Sequence, residues 1–155
     1  MFEVMGIMVT IPLYVKQMLV AGLLGTLLGA EREIKQKVAS IRTFAVISLG
    51  SCMFSSLSVA AAGASVNGLP YDVTRVAAGI VTGIGFLGGG VIFKTRDKIE
   101  GITTGAMIWM TAAIGMSCGF NQVNFACWSF LMFFIFHLLS KPLYALINYF
   151  RLGDE

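Results

Sequence analysis

An all-α fold that crosses a lipid bilayer several times is what this sequence predicts, and three observations carry the prediction. Of its 155 residues, 57% are hydrophobic and only 12% are charged, about half the roughly 25% charge of an average globular chain. A soluble domain of this length leaves too much of its surface in water to hide that apolar fraction, and the mean hydropathy of +0.83 agrees. The remaining charges are bunched between apolar runs, each long enough to span a hydrocarbon layer of roughly 30 Å as a helix. The same balance excludes a soluble enzyme, a disordered chain, a disulfide-stapled secreted module and a nucleic-acid reader with a broad basic face. No nucleic-acid partner is expected, and the net charge of +3 points to no other partner.

Five spans divide the chain, read as one membrane domain over residues 1–155. The first covers residues 13–30, beginning after Pro12. The N-terminus has no basic region and Lys16 interrupts the apolar run, so no cleaved signal peptide is expected. Ala21, Gly25 and Gly29, spaced by four, mark a face on which another helix can approach closely. The second span covers 43–62. Its Ser48, Ser51, Ser55 and Ser58 fall on one helical face, either as a seam in which each hydroxyl bonds its own i−4 carbonyl or as a polar conduit.

The third span, 73–93, follows Asp72, which suits an N-cap; Arg75, three residues on, can pair with it. Gly83, Gly85 and Gly88 spell GxGxxG, but a dinucleotide fingerprint needs a preceding strand and a downstream acid, and this motif lies inside an apolar helix. The run Gly88-Gly89-Gly90 weakens a helix by roughly 1 kcal/mol per residue. Helix packing or a broken helix lining a site are its two readings. The fourth span, 102–118, is short, and the fifth covers 123–139, with a tail from 141 onward.

Arg32, Lys35, Lys37 and Arg42 lie in the first loop, Lys94, Arg96 and Lys98 in the third, and Lys141 and Arg151 in the tail. The second loop and the turn at 119–122 hold no Lys or Arg. Positive residues are retained on the cytoplasmic side, so the N-terminus is expected outside and the C-terminus inside. Glu31 and Asp72 then stand on opposite faces and cannot share an ion.

No catalytic set emerges, because His137 is the one histidine and lies in the fifth span, where a packed or interfacial state is expected. Cys52, Cys118 and Cys127 lack CxxC spacing and read as small buried residues. No metal and no cofactor are indicated. Trp109, Trp128 and the phenylalanines of the fifth span read as lipid-facing or packing residues.

Five ordered motifs carry a family likeness. They are Gly29-Ala30-Glu31-Arg32-Glu33, then Ala39-Ser40-Ile41-Arg42-Thr43, then Asp72-Val73-Thr74-Arg75-Val76-Ala77, then Gly83-Ile84-Gly85-Phe86-Leu87-Gly88-Gly89-Gly90, and Gly101-Ile102-Thr103-Thr104-Gly105-Ala106 with Trp109 and Ala112-Ala113-Ile114-Gly115 beyond. Over residues 18–119 the sequence resembles the membrane domain of the MgtC/SapB family. Members usually have Gly-Leu where this chain has Ser40-Ile41, and Pro where it has Val73. Longer members carry a C-terminal ACT-type soluble domain, which is not expected within these 155 residues.

The resemblance implies a multi-pass protein of the bacterial inner membrane linked to magnesium homeostasis, growth in low magnesium and virulence. It implies action by inhibition of the F-type ATP synthase rather than by carriage of magnesium. The expected function is therefore a non-enzymatic regulator that docks on a membrane partner through Gly83, Gly85, Gly88 and Gly90, with Glu31, Arg32, Glu33 and Arg42 orienting the charged end. A transporter or channel for a small ion, built as a homo-oligomer, is the alternative; it uses Ser48, Ser51, Ser55, Asp72 and Arg75, with Thr103 and Thr104 among the candidates.

Overall fold

The computed structural model describes residues 2–4, 7–9, 12–62 and 72–152. Five helices dominate: α1 (Leu13–Ile34), α2 (Ile41–Ala62), α3 (Thr74–Gly90), α4 (Ile102–Gly119) and α5 (Val123–Leu152). Two short antiparallel hairpins accompany them. Strands β1 (Phe2–Val4) and β2 (Ile7–Val9) pair Phe2 with Val9, and β3 (Phe93–Lys94) and β4 (Ile99–Glu100) pair Phe93 with Glu100. Helices α1, α2, α4 and α5 are each long and apolar enough to cross a membrane. The chain is an all-α polytopic membrane protein.

Two boundaries depart clearly from the sequence reading. The third span ends at Gly90 rather than at 93, because the polar sequence 95–98 is the turn of a hairpin whose strands begin at Phe93. The 17 residues of α3 reach only about 25 Å. The tail from 141 is helical: α5 runs to Leu152 with Pro142 inside it. Proline removes one N–H from the ladder, a loss that membrane helices tolerate where neighbouring groups compensate. The second loop, 63–71, lies outside the described residues.

Helix α4 is the hub and packs against each of the other four helices. Glycine at the crossings is what allows the approach. A Cβ on Gly25 would lie 2.7 Å from the Phe44 carbonyl oxygen, and one on Gly29 would lie 2.7 Å from the Ile41 Cα. On α4, a Cβ at Gly115 would overlap the Ser48 carbonyl oxygen and one at Gly119 would overlap that of Cys52. With lipid on the outside, such close packing is the main force that joins helices. Phe44, Leu28, Ile108, Ile114, Cys52 and Cys118 fill the space between α1, α2 and α4, whereas Cys127 is exposed on α5, contrary to the buried state expected for all three cysteines. Phe125, Trp128, Phe136 and Trp109 are exposed, as lipid-facing side chains are.

Helices α1 and α4 end alike. The Lys37 N–H donates to the Arg32 carbonyl and that of Gln36 to the Glu33 carbonyl; likewise Gln122 donates to Ser117 and Asn121 to Cys118. These are paired bonds of the Schellman type, which require a left-handed residue at the turn. Asn121 (φ 61°) suits that conformation and Gln36 (φ 49°) does not. Gln36→Gly is accordingly expected to raise stability by about 1 kcal/mol, read as a shift in the thermal unfolding midpoint; an unchanged or lower midpoint contradicts the assignment.

Candidate functional site

At one end of the bundle the last turn of α1 carries Glu31, Arg32 and Glu33. Arg32 is only 3% exposed, and a buried guanidinium needs a carboxylate partner. Glu31 supplies it: one carboxylate oxygen meets Nε and Nη2 of Arg32 while the other meets Lys35 Nζ and lies 3.2 Å from His137 Nε2. Glu33 turns the other way, and its carboxylate accepts from the Ile41 N–H at 3.2 Å. It thereby satisfies a free donor at the start of α2 and complements the positive end of that helix. Arg42 stands exposed in the first turn of α2; among the described residues it forms no ion pair.

Beside this cluster lies a polar cavity of about 500 Å³ whose walls include Arg32, Gln36 and Lys37 from the first loop, the β3–β4 hairpin, and Thr103 and Thr104 from the first turn of α4. The first and third loops therefore share one end of the bundle, as the charge distribution predicts. Hydrogen bonds close the opposite end: Gln17 Nε2 donates to Asn121 Oδ1 at 3.2 Å, and the Ser56 hydroxyl donates to Gln17 Oε1 and to the Gly119 carbonyl, both at 3.4 Å.

Asp72 stands at that opposite end, before α3. Its Oδ1 accepts from the Thr74 N–H at 2.9 Å and from the Thr74 hydroxyl at 2.6 Å. These bonds, the hydroxyl's first, hold the carboxyl below the usual carboxylate range. The capping role expected of Asp72 is present, shifted outward by one residue because Val73 occupies the cap position itself. The expected pairing with Arg75 is absent among the described residues: Thr74 takes the carboxylate, and Arg75 meets Asp72 through a 3.4 Å backbone bond.

The serine face of α2 is buried throughout, but not by i−4 bonding. The Ser48 hydroxyl donates across the helix pair to the Ala21 carbonyl at 2.7 Å, and that of Ser58 donates to the Val73 carbonyl at 3.3 Å. Gly25 and Gly115 bring three backbones so close at Ser48 that a neighbouring carbonyl is within reach. The Ser55 hydroxyl is buried without a partner. Ser51 is buried too and faces an apolar groove of about 550 Å³ between α2 and α3.

The glycines of α3 divide in two. Gly88 packs, its missing side chain leaving room for the Gly105 carbonyl 3.1 Å from where a Cβ would stand. Gly79, Gly83, Gly85, Gly89 and Gly90 have nothing within 4 Å of that position. The helix stays intact to Gly90, so the triple glycine forms its final turn rather than a break within it.

His137 is packed, as the sequence reading expects, its ring stacked on Phe133 at 5.7 Å between centroids, but its bond to Glu31 was not foreseen. One histidine in an apolar span gives no signal of its partner, which lies 106 positions away. The sequence reading likewise missed the Gln17, Ser56 and Asn121 network, because amides and hydroxyls far apart in sequence carry no spacing rule.

The family model described as the MgtC family matches residues 18–146. Protein MgtC of Salmonella typhimurium is 34% identical over 142 residues, covering 92% of this chain and 58% of that protein. Protein MgtC of Brucella abortus is 36% identical over 129 residues, covering 83% of this chain and 52% of its own. The chain thus spans little more than half the length of these relatives. No solved structure matches it. The motifs gathered at the two ends of one helical bundle, and a likeness running through most of its length, place the chain in the MgtC family.

Proposed function

We propose that the protein is a non-enzymatic regulator of the bacterial inner membrane that acts by receiving a transmembrane helix of another membrane protein in the groove between α2 and α3. The observation that carries this reading is the pair of open glycine walls: Gly50 on α2 and Gly79 and Gly83 on α3 line the groove with nothing within 4 Å of their absent side chains. Glycine at such positions lets a third backbone approach closely. Ser51, with no hydrogen bond inside the described molecule, faces the groove and offers a hydroxyl to an incoming carbonyl.

The family resemblance suggests the F-type ATP synthase as the partner and a role in low-magnesium adaptation and virulence. The N-terminus-out orientation belongs to the same reading, because it puts the Glu31 end in the cytoplasm. The ion-pathway alternative has weaker support, since the hydroxyls of Ser48 and Ser58 are engaged in seams between helices.

The test is Gly83→Leu, which fills the groove without touching the core, with Phe86→Ala on exposed α3 surface as the control. Co-purification of the ATP synthase from bacterial membranes is expected to fall at least tenfold with Gly83→Leu and to persist with the control. Loss of self-association instead identifies a second copy as the occupant. Ion flux in liposomes that disappears with Asp72→Ala overturns the regulator reading in favour of a pore.

A further inference from the structure

The polar cavity at the Glu31 end has features that docking through α2 and α3 does not use. Helix α4 has Gly101 at its N-cap, with no side chain to accept from the N–H groups of the first turn. The N–H groups of Ile102, Thr103 and Thr104 precede the first intrahelical bond, since the Gly105 N–H is the one that reaches back to the Gly101 carbonyl at 2.8 Å. Gly101, Ile102, Thr103 and Thr104 all line the cavity, so the positive end of the helix lies at its wall. Left-handed Gly101 (φ 88°) sets that geometry, because a Cβ there would strike the Val91 carbonyl at the end of α3.

Two side chains make this more than a bare helix end. Thr104 is 3% exposed, lines the cavity, and its hydroxyl makes no hydrogen bond among the described residues. Among the described residues Ser55 Oγ is the buried side-chain atom without a partner, so the unbonded Thr104 hydroxyl keeps access to the cavity and is free to meet a ligand there. Arg32, equally buried, uses Nε and Nη2 on Glu31, and among the described residues its Nη1 meets no acceptor. The Schellman turn at Gln36 then brings Lys37 to the same cavity. Against these donors stands one carboxylate in the lining, that of exposed Glu100; the negative charge of Glu31 is already shared by Arg32 and Lys35.

We propose that this cavity is an anion site that binds a phosphate group, held by Arg32, Lys37, the Thr104 hydroxyl and the free N–H groups of α4. A tetrahedral oxyanion presents acceptors in several directions at once, which suits donors arriving from α1, the first loop and α4. The phosphate can come from a lipid headgroup, because the cavity lies at the helix ends where headgroups lie, or from solution.

The full chain is purified in a phosphate-free maltoside detergent, and its thermal unfolding is followed against inorganic phosphate, with chloride at matched ionic strength as reference, and against short-chain phosphatidylglycerol. At least one of the two is expected to raise the unfolding temperature in a saturable way. Thr104→Val and Lys37→Gln are each expected to weaken that binding about tenfold, Lys94→Gln on the hairpin to leave it intact, and Glu100→Gln to strengthen it. A response to inorganic phosphate identifies a soluble ligand; a response to phosphatidylglycerol alone identifies the headgroup. No saturable shift with either probe overturns the proposal, as does a shift that Thr104→Val and Lys37→Gln leave unchanged. Thr104→Val preserves shape and Lys37 is exposed, so both variants keep the fold.

Discussion

Gly115→Ala is expected to lower the stability of the bundle by about 3 kcal/mol, although it adds a single methyl group. That methyl would occupy the space of the Ser48 carbonyl oxygen, and a backbone atom cannot rotate away as a side-chain end can. Helices α2 and α4 must therefore separate, and overpacking of this kind costs about 1–3 kcal/mol or more. The displacement also draws the Ser48 hydroxyl away from the Ala21 carbonyl and leaves a buried donor unpaired, so the damage reaches the contact of α1 with α2. Gly79→Ala is the matched comparison: the same methyl enters open space, and better helix propensity favours it by up to about 1 kcal/mol. Unfolding in mixed micelles of denaturing and mild detergent measures both. Equal midpoints for the two variants contradict the packing account.

Glu31→Ala is expected to cost about 3 kcal/mol by another route. Arg32 is buried, and Glu31 is the carboxylate that touches its guanidinium. Removal of one member of a buried pair leaves an uncompensated charge, a loss of about 3–5 kcal/mol in measured cases. The same substitution releases His137 and Lys35, so the hold of α1 on α5 weakens as well. Glu31→Ala combined with Arg32→Leu is expected to regain most of the stability, because an apolar side chain needs no counter-charge there. The same micelle unfolding reads this; a double variant no more stable than Glu31→Ala alone shows that the pair is not the cause.

Each of these effects depends on what the sequence makes visible. Residue type and spacing locate helices because the bilayer imposes its own length and polarity on any segment that crosses it. The four long spans, their charged connections and the serine face of α2 were legible for that reason. The ends of α3 and α5 were not. Gly88-Gly89-Gly90 is compatible with helix, break or turn, and Lys141-Pro142 looks like an exit although the helix continues past it. Glycine spacing was equally ambiguous: Gly25, Gly29, Gly88, Gly115 and Gly119 close the bundle while Gly79, Gly83 and Gly85 open onto its outer surface.

By itself the sequence determined that this chain lies in a membrane, which segments form its helices, and which charged loops share an end, all of them properties of neighbouring residues and their transfer out of water. Only the tertiary structure decided what each special residue touches: that Glu31 joins Arg32 to His137, that Ser48 bonds α1 rather than its own helix, and that Thr104 and Lys37 face one cavity. Such contacts link positions tens of residues apart, and they are fixed by how helices pack side by side, for which no local spacing in the chain supplies a code.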